Sequence, residues 1–126
     1  MAFQEMNMVS LNPGARQLTD IIDTNTTGAK DGYWIPPYAS NGVGITLTAL
    51  STAVVKLQAT TDSAANVLAG TALWADLPAP FASVTGGAVV QGTVNYGITA
   101  IRPNVTTLLA GRQATIALAT QAPIKF

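Results

Sequence analysis

The sequence predicts an all-β protein: an antiparallel β-sandwich or jelly roll of about seven or eight short strands, with an extended N-terminal arm. Three observations carry this. Apolar residues recur at every second position through much of residues 43–118, which places one set of side chains on one face of a pleated strand. Turn signals punctuate that pattern about every 8 to 12 residues. Residues 1–42 follow neither rule. They hold six of the twelve charges (Glu5, Arg16, Asp20, Asp23, Lys30, Asp31) and the turn signals Asn12-Pro13-Gly14, Asp31-Gly32 and Pro36-Pro37. The division expected is therefore an arm over 1–42 and a sandwich domain over 43–126.

Within the arm, residues 15–22 offer an apolar edge of Leu18, Ile21 and Ile22, enough for a short strand or a turn of helix that needs tertiary support. Tyr33, Trp34, Ile35, Pro36, Pro37 and Tyr38 group three aromatics around a proline pair, a stiff extended segment with large apolar faces. Two readings stay open for it. It lies over the open edge of its own sandwich, or it is a contact onto a neighbouring subunit.

From Val43 the period becomes two. Val43, Ile45, Leu47 and Ala49 alternate with Gly44, Thr46 and Thr48, and Val55, Leu57 and Ala59 alternate with Lys56, Gln58 and Thr60. Residues 61–66 supply turn chemistry, and a short strand over 73–77 carries Trp74, expected as an inward anchor. Residues 81–84 and 88–96 look like two arms of a hairpin around Gly86-Gly87, with Val90, Val94 and Tyr96 on one face. Gly92 interrupts that apolar series and suggests a bulge or a close approach by another backbone. Residues 98–106 and 112–120 make the last pair, with Ile101 and Val105 facing Ile116 and Leu118. Trp74, Tyr96, Ile101 and Val105 are thus the candidate core anchors.

Composition narrows the chemistry. The 126 residues are 48% hydrophobic and only 10% charged, with a net charge of +0, so the attraction on which most nucleic-acid binders rely is missing and no direct nucleic-acid contact is expected. The chain has no cysteine and no histidine, which excludes disulfides, Cys/His zinc sites and imidazole-based nucleophile activation. No run approaches the roughly 20 apolar residues that span a bilayer, so no membrane partner is expected and synthesis in the cytoplasm is. Asp20, Asp23, Asn25 and Asp31 supply oxygen ligands in one segment but lack the spacing of a calcium loop. Asp62 and Asp76 are the only acids of the sandwich region and sit at turn or strand ends, where Asp is commonplace. Neither a catalytic set, nor a metal site, nor a cofactor is expected. Trp34, Tyr33, Tyr38 and Trp74 could instead serve as stacking platforms for a sugar.

Four pieces occur in order: Val55-Lys-Leu-Gln-Ala-Thr-Thr-Asp62, Thr71-Ala-Leu-Trp74-Ala-Asp-Leu77, Tyr96-Gly-Ile-Thr-Ala-Ile-Arg-Pro-Asn-Val-Thr106 and Ala114-Thr-Ile-Ala-Leu118. Together they resemble a small β-sandwich found among virion structural proteins of tailed bacteriophages. The resemblance spans about two-thirds of the chain, with departures at Gly97-Ile98 and at Pro103, which cannot donate to a strand ladder. It implies a non-enzymatic virion component made in the host bacterial cytoplasm. The implied roles are capsid decoration, cement or fibre base, with the major capsid protein or other virion proteins as partners. A homo-oligomer, such as a trimer, follows from the same reading. Its alternatives are a carbohydrate-binding sandwich for host attachment and a tail or head-to-tail connector component.

Overall fold

The computed structural model describes residues 3–9, 12–36, 42–94 and 97–120. Among them are ten strands, β1 (Asn7–Val9), β2 (Asn12–Ile22), β3 (Gly28–Ala29), β4 (Tyr33–Trp34), β5 (Val43–Ala49), β6 (Val54–Thr60), β7 (Ala75–Asp76), β8 (Val89–Val94), β9 (Ala100–Thr107) and β10 (Ala114–Thr120), and one helix, α1 (Ala64–Ala69). One sheet has the order β1-β2-β10-β5-β8, the other β3-β9-β6-β7 with β4 also on β9. All the strand pairs are antiparallel.

The period of two builds the core as expected. In β5 the buried positions Val43, Ile45, Leu47 and Ala49 alternate with half-buried Gly44, Thr46 and Thr48. The same alternation in β6, β9 and β10 brings Val55, Leu57, Ile101, Val105, Ile116 and Leu118 into one apolar layer, each at most 1% exposed. Ile101 and Val105 are core residues, and so are Ile116 and Leu118, but the two pairs come from different sheets.

Strand partners differ from the hairpins expected from sequence proximity. Residues 98–106 and 112–120 do not pair; β9 joins β6 in one sheet, and β10 lies between β2 and β5 in the other. Residues 81–84 do not form a hairpin arm with β8 either. Val84 bridges Val55, Leu57 donates to the Phe81 carbonyl, and Leu77 donates to the Leu57 carbonyl, so residues 77–84 cover the free edge of β6. A covered edge offers no row of unpaired amides to other chains. Short-range turn signals cannot distinguish a strand that folds back on its neighbour from one that crosses to the other sheet.

The largest correction concerns residues 1–42. Its described residues are not a separate arm but part of both sheets: β2 pairs with β10 along seven residues, β3 and β4 pair with β9, and Gln4 bridges Tyr33. Leu18, Ile22, Tyr33 and Ile35 lie in the common core. The 1–42 and 43–126 division therefore does not correspond to two structural units. The turn over 61–66 also contains more order than expected. Ser63 caps α1 by accepting from the Asn66 amide, and Gly70, with φ of 77°, ends the helix in the left-handed region open to glycine.

Two interruptions have local explanations. Pro103 lies on the central strand β9, opposite Leu57, without a break in register. In an antiparallel strand the amide and carbonyl of one residue point to the same flank. The Pro103 carbonyl accepts from Lys30 at 2.9 Å, on the flank where β3 has ended and β4 has not begun. The missing donor therefore falls in that gap and not on the flank paired with β6. Gly92 is likewise not a bulge, since β8 keeps register with β5 throughout, and the close approach is made by a ring rather than a backbone. A Cβ at Gly92 would stand 2.8 Å from Phe81 Cε2. Buried Phe81 thereby passes beneath β8 and closes that side of the sandwich.

Candidate functional site

The outward positions of β6 and β9 carry the polar side chains of the second sheet. Lys56 and Gln58 stand opposite Asn104 and Arg102, and Asp76 of β7 lies beside Gln58. The Arg102 Nε donates to Gln58 Oε1 at 2.9 Å, the Gln58 amide donates to Asp76 Oδ1 at 3.0 Å, and Lys56 Nζ pairs with Asp76 Oδ2 at 3.1 Å. These bonds tie three strands across the face. Asp76 is held below the ordinary carboxylate value, first by the Gln58 amide and then by Lys56, so it stays ionised.

Beside this row lies an aromatic group. The Arg102 guanidinium sits 4.3 Å from the centre of the Trp74 ring, Phe3 is 6.0 Å from Trp74, and Phe3 is 5.2 Å from Trp34. A cation over an indole face is attracted by the ring quadrupole, and tilted or offset ring pairs add to the apolar contact. Phe3, Trp34 and Trp74 are each half-buried. Ala100 and Thr60 share the outward parity of Arg102 and Gln58 yet are buried, so this part of the face is roofed rather than bare. Trp74 is thus placed on the outside of its sheet, correcting its expected role as an inward anchor. Its parity explains why: Asp76, two residues on, pairs with outward Gln58.

The other predicted contact residues divide. Tyr33 is 1% exposed and donates its hydroxyl to Asp20 Oδ2 at 2.8 Å, a bond from one sheet to the other. Ile35 is buried and donates its amide to the Thr99 carbonyl; Pro36 is half-buried. Tyr33 and Ile35 therefore belong to the chain's own core, and Trp34 alone of the three joins the outer face. Pro37, Tyr38 and the candidate anchor Tyr96 lie outside the described residues. The sequence singles out Trp74, but neither its stacking with Arg102 nor the contact of Phe3 leaves a signal there.

Tyr33 has a consequence for pH. Burial first, and then the Asp20 carboxylate, raise its pKa above the ordinary 10.0, because an ionised phenol there would be poorly solvated and beside a like charge. A folded-state pKa above the unfolded one means that this stabilisation is complete below pH 10.0 and is lost as pH rises beyond it. Tyr33→Phe is expected to cost about 2 kcal/mol at neutral pH, since the bond reaches a charged acceptor, and to flatten the alkaline fall in stability. Urea unfolding of both proteins at neutral pH and above pH 10 checks this. An equally steep alkaline fall in the variant would refute it.

The acids considered as catalysts have structural partners. Asp62 Oδ1 accepts from the Ser63 amide and the Asn66 side chain, both at 2.8 Å, and Oδ2 from the Leu73 amide at 3.2 Å. The Asn66 bond is the main cause of its lowered pKa, and a carboxyl held ionised has no proton to lend near neutrality. Among the described residues no three acidic side chains converge as a metal site would require, and no helix is long and apolar enough to cross a membrane. Of the oxygen-bearing residues of 20–31, Asp20 accepts from the Tyr33 hydroxyl, and Asp23 accepts from the Asn25 amide.

The outer face of the first sheet is different. It forms an open groove of about 640 Å³ whose floor includes Gly44, Ala117 and Ala119 and whose sides include Gln17, Thr46 and Gln91. Small residues make the hollow, and amides and hydroxyls line it without any charge. Comparison with protein-family models, curated proteins and solved structures finds no match to this chain.

Proposed function

We propose that the protein is a non-enzymatic structural component of a bacteriophage virion, decorating or cementing the capsid as a homo-oligomer. The observation that carries this reading is the Arg102, Trp74, Phe3 and Trp34 cluster, held on a cross-linked polar face. Arginine and tryptophan anchored on a rigid sheet are the residue types that dominate protein interfaces, since they bring large contact area at little entropic cost. The sequence resemblance to phage β-sandwiches supports the same class. Contact with the shell is assigned to this face rather than to an N-terminal arm. A jelly-roll relationship belongs to this proposal as well.

The test is to purify particles from the source that encodes the chain, then apply peptide mass spectrometry and immunogold labelling with antibody to the purified protein. The chain is expected in particles, with gold on the capsid. Its absence from particles would overturn the reading, and gold confined to the tail would replace decoration by a tail or connector role. A second reading, a carbohydrate-binding sandwich for host attachment, is favoured by the uncharged groove, whose amides and hydroxyls suit a neutral polar ligand. Glycan-array binding that disappears in Gln17→Ala/Gln91→Ala would support it.

A further inference from the structure

The two sheets treat their edges differently. The edge of β6 is covered by residues 77–84, and the β4 flank is extended by Gln4. β8 pairs with β5 on one flank, and among the described residues no backbone group bonds to its other flank. An open edge is a template for strand addition, and natural edge strands are normally blunted by charge, proline or short length. β8 has six residues, Val-Val-Gln-Gly-Thr-Val, with neither charge nor proline. No Asp, Glu, Lys or Arg occurs anywhere between Asp76 and Arg102.

We infer that β8 is the edge at which a second copy of this chain adds, its own β8 running antiparallel about a two-fold axis at Gly92. Directly opposed residues in an antiparallel pair must share a face. Centring on Gly92 satisfies this: Val90 meets Val94 of the second copy on the inner face, and Gln91 meets Thr93 on the outer face. Branched apolar side chains then oppose one another, the polar pair lies outside, and no like charges meet. A self-pairing edge must tolerate its own image, and an uncharged strip does so without further adjustment.

A second feature points to the same place. A hollow of about 340 Å³ runs between residues 78–81 and 92–94. It is lined both by inward-pointing Val94 and Gly92 and by outward-pointing Thr93, so it follows the edge rather than one face. In the proposed register, Val90 of the second copy stands opposite Val94, beside the prolines of this hollow. Exposed Val89, at 66%, lies at the other end of the same strand.

The inference rests on the homo-oligomer of the proposed function, and it is tested by charge swapping in the full chain. Size-exclusion chromatography with light scattering is expected to give a dimer or a multiple of it. Gln91→Glu/Thr93→Glu places like charges opposite one another and is expected to weaken the association roughly tenfold or more. Mixing that variant with Gln91→Lys/Thr93→Lys should restore it as a heterodimer, which excludes unfolding as the cause. A monomeric wild-type chain would overturn both the oligomer and its edge. An oligomer indifferent to the Glu and Lys variants would overturn the β8 pairing alone and leave the oligomeric reading standing.

Discussion

Gly32→Ala is expected to unfold a large share of the protein's stability, although the site has no left-handed backbone angle to accommodate. A Cβ at Gly32 would overlap the Ile101 carbonyl oxygen and lie 2.9 Å from the Arg102 Cα, both backbone atoms of β9. A flexible side chain could move aside; a central strand paired to β6 across seven positions cannot. The segment between β3 and β4 would instead be levered off β9, taking with it the Lys30 bond to Pro103 and the seat of Tyr33. Overpacking costs about 3 kcal/mol when relaxation is blocked, a large part of the total of about 5–15 kcal/mol available to a small domain. Gly28→Ala is the instructive contrast. Gly28 has φ of 111° but nothing within 4 Å of its missing Cβ, so alanine there meets strain without a clash. Its cost should be about 1–2 kcal/mol. Urea midpoints at constant m-value compare the two. If Gly28→Ala proves the more damaging, the close seating of residues 30–32 against β9 is wrong.

That contrast shows where the sequence is legible and where it is not. Val43, Ile45, Leu47 and Ala49 declare their strand because burial on one face alone imposes a two-residue period. β2 is legible only in part, as a short strand or a turn of helix over 15–22, because two of its core-side positions, Arg16 and Asp20, are charged, alternating with Leu18 and Ile22. Asp20 is tolerable there only because Tyr33 donates to it from the other sheet and the Gln4 side chain adds a bond at 3.2 Å. Neither donor is visible from the strand itself. Thr24 is hidden for the same reason. It is 0% exposed, and its hydroxyl contacts the carbonyls of Leu109 at 2.6 Å and Gly111 at 3.0 Å, holding the loop that carries the chain from β9 to β10. Such long-range polar satisfaction leaves no periodic trace. It also explains why residues 1–42 read as an arm: their charges and turns are real, but the partners that draw them into the sandwich lie about 80 residues or more downstream in several cases.

The outer-face cluster makes a second large prediction, which separates fold from contact. Ile101 and Trp74 both qualified in the sequence as core anchors, yet only Ile101 is fully enclosed, at 0% exposure. Ile101→Ala leaves a cavity between sheets that cannot collapse around a strand held on both sides, and should cost about 2–5 kcal/mol. Trp74→Ala removes a guanidinium contact and one ring contact from a half-buried position, and should cost only about 1–2 kcal/mol. Had Trp74 been an inward anchor, its greater size would have made it the costlier of the two. Chemical denaturation of both variants therefore decides on which side of the sheet the indole lies, and equal or inverted costs would remove the aromatic face. The tolerance expected of Trp74 gives the variant its use. If the proposed capsid role holds, a protein that keeps its fold but loses the indole should lose attachment to purified capsids, while Ile101→Ala, refolded by cooling or osmolyte, should keep it. Attachment unaffected in folded Trp74→Ala would move the contact away from the arginine-tryptophan face even if the chain is a capsid protein.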